Sequence, residues 1–179
     1  MENIINDLGV HLTQFQYGLL QGILFNVIKT DISHLSFTSS SGNSIIILDK
    51  DVVYQFFLYP SIYHHVLKVG IAKIPGFVSI LDFDDRYQLI IFERVEPVVN
   101  VYNNKLYCNL VYLLNDVFHT LLILKKWGVS HNDLTLDNIG YSPKRNRYLI
   151  YDFESVNFDS DTSSDLYTLL KSVQFRINL

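Results

Sequence analysis

Apolar residues fall at helical spacing across residues 3–30: Ile4, Ile5 and Leu8, then Val10, Leu12, Phe15, Leu19, Ile23 and Val27. This predicts one or two helices with Gly9 as an interruption. Gly18 and Gly22 lie inside the same run and read as packing or kink positions rather than as a phosphate loop. At His34 the period changes. Residues 35–38 alternate as a strand, 39–43 (SSSGN) are a turn, 44–48 form a second strand, and 49–51 reverse the chain into a third over 52–59. Pro60 ends that strand, and Ser61 caps a helix reaching about Lys73, with Ile62, Val66, Leu67, Val69 and Ile71 on its buried side. His64 and His65 are adjacent, so they point in different directions and read as solvated or locally bonded rather than as a metal face. Residues 77–82 and 87–92 are two more strands around an Asp84–Asp85 turn, after which 93–97 leave the sheet.

The second half opens with a polar connection, 98–104, and a long helix from an Asn104 cap to Trp127. Leu106, Leu110, Leu113, Leu114, Val117, Leu121 and Leu124 mark its inner side; Lys125 and Lys126 fill its last turn, and Gly128 is its C-cap. Residues 129–156 then read VSHNDLTLDNIGYSPKRNRYLIYDFESV. They hold His131-x-Asp133, Asn138 five places later, a hairpin (139–141 and 148–151 around the 143–147 turn), and Asp152-Phe153-Glu154. The hairpin brings Asp152 back beside Asn138. A carboxylate to accept a hydroxyl proton, an amide oxygen and a second carboxylate suit metal-bound ATP chemistry. The same residues, taken alone, also suit a loop whose Asp and Asn side chains bond nearby backbone. A last helix spans 162–173.

The order and spacing of these residues resemble the catalytic loop of the protein-kinase-like superfamily. The resemblance runs from about His34 to Val173 and implies an α+β, two-lobed fold with a shortened C-lobe: an N-terminal helical extension (1–33), an N-lobe (34–96) and a helical C-lobe (97–179). It implies Asp133 as catalytic base, Asn138 and Asp152 as Mg²⁺ ligands, and ATP as cofactor. His131 would be structural, as would Asp165, which would tie down the loop or, on the plainer reading, merely favour a helix N-terminus. Phe92 would be the gatekeeper, with the Glu93 carbonyl and Val95 amide on adenine. The 39–43 turn, with Gly42 its one glycine, would cover phosphates; an ordinary hairpin is the equal alternative.

The sequence departs from the family in several places. Gln55 stands where the phosphate-binding lysine belongs, and Tyr63 falls near its glutamate partner, with Lys50 and Lys29 as possible substitutes. Thr135 replaces a lysine of conventional protein kinases, and Asn132 and Glu154 differ from H-R-D and D-F-G. These differences resemble the small atypical kinases: the RIO type, the kinase of the tRNA-threonylcarbamoylation complex, and the choline and aminoglycoside phosphotransferases. Few residues separate Asp152 from Asp165, and against the family's pattern the later C-lobe helices would be missing. Leu166, Leu169, Leu170, Val173 and Phe175 would then lose their cover, which predicts a protein partner or self-association over the last helix. The readings are an atypical ATP- and Mg²⁺-dependent phosphotransferase or a pseudokinase scaffolding subunit. A metal-dependent hydrolase on His131 and Asp133 is disfavoured, since no further histidine lies nearby at ligand spacing.

Composition narrows this only a little. A formal net charge of −4 gives no reason to expect direct nucleic-acid binding. The single cysteine, Cys108, excludes an internal disulfide, suits a reducing compartment, and reads as a buried thiol in the helical pattern. No stretch suits a signal peptide or a membrane span. The expectation is a soluble, intracellular, cytoplasmic protein. Abundant Asn, Ile, Tyr and Phe suit an AT-rich genome such as a virus's, which would make that cytoplasm a host cell's.

Overall fold

The structure is a computed structural model that describes residues 11–28, 31–40, 42–99 and 106–177. Lys29, Asn104 and the apolar positions before Val10, with Val10 itself, lie outside the described residues. The chain divides into two compact units, Met1–Lys68 with Ser79–Arg94, and Val69–Val78 with Val95–Leu179.

In the first unit, β1 (Ser36–Ser40), β2 (Ser44–Leu48), β3 (Val52–Phe57), β4 (Ile80–Asp84) and β5 (Leu89–Glu93) form one antiparallel sheet in the order β1-β2-β3-β5-β4. Alternate side chains take opposite faces. Ile45, Ile47, Phe56 and Leu89 pack with Leu20, Ile23 and Leu24 of helix α1 (Gln14–Asn26) in one buried core. Phe57 belongs to the other face, where its ring lies 6.1 Å from that of Tyr63 on helix α2 (Pro60–Ile71). A sheet covered on both sides explains why 45–48 and 89–92 are continuous apolar runs rather than alternating ones.

Helix α1 begins in a capping box. The Thr13 hydroxyl accepts from the Gln16 N–H at 3.2 Å, and the Gln16 side chain accepts from the Thr13 N–H at 2.9 Å. Gln16 Nε2 also donates to the Leu58 carbonyl, anchoring the helix start to the end of β3. Gly22 is a packing position: a Cβ there would lie 2.6 Å from Tyr87 Cε1, and the Tyr87 hydroxyl accepts from Asn26 Nδ2.

Several boundaries differ from those expected. Helix α2 starts at Pro60, not after Ser61, because the N–H groups of Ile62 and Tyr63 take the Tyr59 carbonyl and a proline costs nothing at a first helical position. It stops at Ile71, and Lys73 turns away at φ 51°. β4 begins at Ile80 rather than 77, because Phe77 instead bridges Ile150 and Val78 donates to the Ile150 carbonyl.

In the second unit, β6 (Glu96–Pro97), β8 (Ile139–Ser142) and β9 (Arg147–Ile150) form a three-stranded sheet, and β7 (Val129–Ser130) pairs with β10 (Asn157–Phe158). Helix α3 (Leu110–Trp127) buries Leu113, Val117, Thr120, Leu121 and Leu124, an i, i+4, i+7, i+8, i+11 stripe. Its cap is Asn109 rather than Asn104: Asn109 Oδ1 accepts from the N–H groups of Val111 and Tyr112. Leu106 lies outside the helix and bridges Val99. Cys108 likewise precedes the helix; it is half-buried, and burial pushes its thiol pKa up. Gly128 ends α3 at φ 66°, its N–H reaching the carbonyls of Leu124 and Lys125. Helix α4 spans Ser163–Ile177, longer than expected, and no described helix is long and apolar enough to cross a membrane.

The Gly22–Tyr87 contact makes a prediction of changing sign. Gly22→Ala destabilises the protein, whereas in a Tyr87→Ala background, with the ring gone, the same change stabilises it by about 1 kcal/mol through helix propensity. Denaturant unfolding of the four variants checks it.

Candidate functional site

The loop between β7 and β8 is held by one carboxylate. Asp165, fully buried in the first turn of α4, accepts from the Ser130 hydroxyl at 3.0 Å, the His131 N–H at 2.8 Å and the Asn132 N–H at 2.7 Å. These bonds fix a left-handed backbone at Asn132, φ 61°. The Asn132 side chain donates to the Ser155 carbonyl, and its Oδ1 shares the single Ser130 hydroxyl hydrogen with Asp165. Asp165 therefore ties down the loop, as the resemblance implies.

His131 is buried. Its ring stands edge-on to Phe77, which stacks on Phe153 at 4.8 Å, and its Nε2 lies 3.0 Å from the Tyr151 carbonyl. That bond needs the hydrogen on Nε2, and Nδ1 has no partner. Burial holds its pKa below the usual histidine range, against the pull of the nearby carboxylates. The ring packs edge-on to Phe77 and bonds the backbone that leads into Asp152.

Asp133 is exposed at the loop's tip. The buried Asn138 spends both amide hydrogens on it, Nδ2 donating to the Asp133 carbonyl at 2.8 Å and to Oδ2 at 3.0 Å. With Nδ2 committed, the amide oxygen is the atom left to face a ligand. The turn around it, Leu136–Asn138, is buttressed by α4 through Ser172 Oγ, which accepts from the Leu136 N–H, and through Arg176, which pairs with Asp137.

The β8–β9 hairpin forms with Ile139 opposite Ile150, and the Tyr151 N–H donates to the Asn138 carbonyl at 3.0 Å. Asp152 follows at φ 64°. Its pKa is raised, first by burial and further by Asp133, with His131 and the Glu154 N–H opposing. An amide oxygen and a carboxylate that gains from a counter-cation fit Mg²⁺, which uses one or two protein oxygens plus phosphates and water. Among the described residues no cluster of three or more His, Cys, Asp or Glu side chains makes a metal site unaided.

The remaining site residues fall as follows. Gln55 shares a sheet face with Phe92, Phe57 and Ser44, and its Nε2 donates to the buried Ser44 hydroxyl at 2.8 Å. Tyr63 is buried, and its hydroxyl donates to Asp85 at 2.5 Å. The two positions thus make separate neutral-donor bonds. Lys50 is exposed in the β2–β3 turn. Gly42, at φ 73°, follows Ser40, which pairs with Ser44, so the hairpin reading suffices for its backbone. Glu93 ends β5, exchanging bonds with Ser79 through its N–H and its carboxylate. Val95 packs on Gly140, where a Cβ would collide with the Val95 side chain. Sequence reasoning missed Tyr151, Ser172 and Arg176.

The expected exposed face of the last helix is corrected in part. Leu169 and Val173 are buried within the chain, on the side of α4 that carries Asp165, while Leu166, Leu170 and Phe175 are exposed.

Two outcomes follow. Asp165→Ala leaves buried donors of residues 130–132 unpaired and costs about 3 kcal/mol or more of unfolding free energy. Asp152→Asn acts oppositely. Because the folded pKa of Asp152 is raised, its contribution is fully present below the unfolded pKa and lost as pH rises through the folded one. Metal-free Asp152→Asn therefore melts above wild type at neutral pH, and the gap closes on acidification. Melting curves across pH check both.

No protein-family model matches the chain, and no curated protein matches it in sequence. Among solved structures, it is similar to the bifunctional kinase-methyltransferase WbdD, with a TM-score of 0.57, 17% identity, and coverage of 76% of this chain and 34% of that one. It is also similar to PK-1, the kinase of Cydia pomonella granulovirus, with a TM-score of 0.49, 19% identity, and coverage of 71% of this chain and 53% of that one. The chain thus spans about a third of the first and half of the second. At such identities the likeness to WbdD shows the fold, and the α+β fold of this protein is kinase-like.

Proposed function

We propose that this chain is an atypical ATP- and Mg²⁺-dependent phosphotransferase. The observation that carries the reading is the Asn138 amide, with both hydrogens fixed on Asp133 and its oxygen left over, on a turn bonded to the strand that leads into Asp152. Asp133 orients an acceptor hydroxyl and takes its proton; Asn138 and Asp152 hold the cation. Magnesium-bound ATP supplies the phosphoryl group and neutralises the charge that develops on it.

A second reading, a pseudokinase that works as a scaffolding subunit, is favoured by a specific observation. The amide of Gln55 is engaged by Ser44 and the hydroxyl of Tyr63 by Asp85, so neither position offers a phosphate the charge of a lysine.

Thermal unfolding with and without Mg-ATP separates the readings. Ligand at about 100 times its dissociation constant adds roughly 2.7 kcal/mol, a melting shift of about 5–10 °C for a chain of this size. The phosphotransferase reading expects that shift to need Mg²⁺, to vanish in Asp152→Asn, and to survive in Asp133→Asn while phosphoryl transfer drops. No shift at millimolar Mg-ATP overturns it. A shift with no turnover from any hydroxyl acceptor favours the scaffold.

A further inference from the structure

We propose that Tyr151 is a positioning residue that sets the spacing of the two metal-site groups, Asn138 and Asp152. The inference rests on the phosphotransferase reading. Tyr151 makes three bonds to the catalytic loop, each from a different part of the residue. Its N–H donates to the Asn138 carbonyl at 3.0 Å, its carbonyl lies 3.0 Å from His131 Nε2, and its hydroxyl donates to the Asp137 carbonyl at 2.5 Å.

The third bond is the informative one. The Asp137 carbonyl belongs to the peptide plane that leads into Asn138. The other side of that plane, the Asn138 N–H, donates to the Thr135 carbonyl at 3.1 Å. The plane is therefore pinned at both edges, and the direction in which Asn138 leaves the backbone is pinned with it. Asp152 is bonded directly to Tyr151 in the chain, so one residue carries the reference for both groups. A phenylalanine would retain the ring and both backbone bonds and would release only the peptide plane before Asn138. A bare hydrophobic filler at this position would need no hydroxyl.

The test is calorimetric titration of ATP into the full chain over a Mg²⁺ series, for wild type, Tyr151→Phe and Tyr148→Phe. The Tyr148 hydroxyl accepts from the Asn109 N–H at the start of α3, away from the loop, so its loss controls for stability alone. The Mg²⁺ concentration for half-maximal ATP binding should rise about 10-fold or more in Tyr151→Phe, the usual penalty for losing a group that orients a metal ligand. Tyr148→Phe should match wild type, and ATP binding in chelator should be equal in all three. A Tyr151→Phe curve that superimposes on wild type, or a Tyr148→Phe curve that moves as far, overturns the proposal while the phosphotransferase reading stands. A wild type that binds ATP equally with and without Mg²⁺, or not at all, removes both.

Discussion

The carboxylate of Asp165 is the interaction on which the loop depends. It takes two backbone N–H groups and one hydroxyl from three consecutive residues, in a fully buried setting. Charge-assisted bonds of this kind are the strong ones, and a buried donor left without its acceptor is more costly than any single bond is favourable. The left-handed turn at Asn132 exists because these bonds over-determine it. From that turn the next residue, Asp133, reaches solvent, and the Asn132 side chain ties in residue 155, just past Asp152. Helix α4 is thus structural for the loop, although it contributes none of the proposed reacting groups.

The first unit shows a different economy. A buried lysine–glutamate pair carries a desolvation penalty that only good geometry offsets. Here Gln55 and Tyr63 each find a partner nearer home, in Ser44 and Asp85. The sheet is stabilised instead by apolar burial on both faces, with α1 covering the side away from Gln55. Neither position therefore leaves an unpaired charge buried in this unit.

Much of the second unit was legible because its signals are contiguous. The loop from His131 to Asn138, the β8–β9 hairpin and the Gly128 cap are each specified within a few residues. Where the reading slipped, the deciding partner was distant in sequence. The cap expected at Asn104 falls at Asn109 because Leu106 bridges Val99 and so stays outside the helix. Leu169 and Val173 share a stripe with Asp165, but only the structure shows that this stripe is the covered one. The Tyr151 hydroxyl reaches a carbonyl 14 positions back, a contact with no side-chain signature at its acceptor.

Asp137 draws these threads together, because two elements grip it by different groups. Arg176 of α4 holds its carboxylate at 3.0 Å, and Tyr151 holds its carbonyl. The Asp137 side chain is 52% exposed, so the ion pair contributes about 0–1 kcal/mol to stability. That is small beside the buried donors of Asp165. Its effect is geometric: it fixes where the turn before Asn138 lies against α4, as the hydroxyl fixes how that turn is rotated. An ion pair too weak to matter for folding can still matter for a metal site, where displacement of a ligand by a fraction of an ångström is enough to lose affinity. The loop is therefore held by α4's buried acid, and the turn before Asn138 is aligned by contacts that a stability measurement alone would overlook.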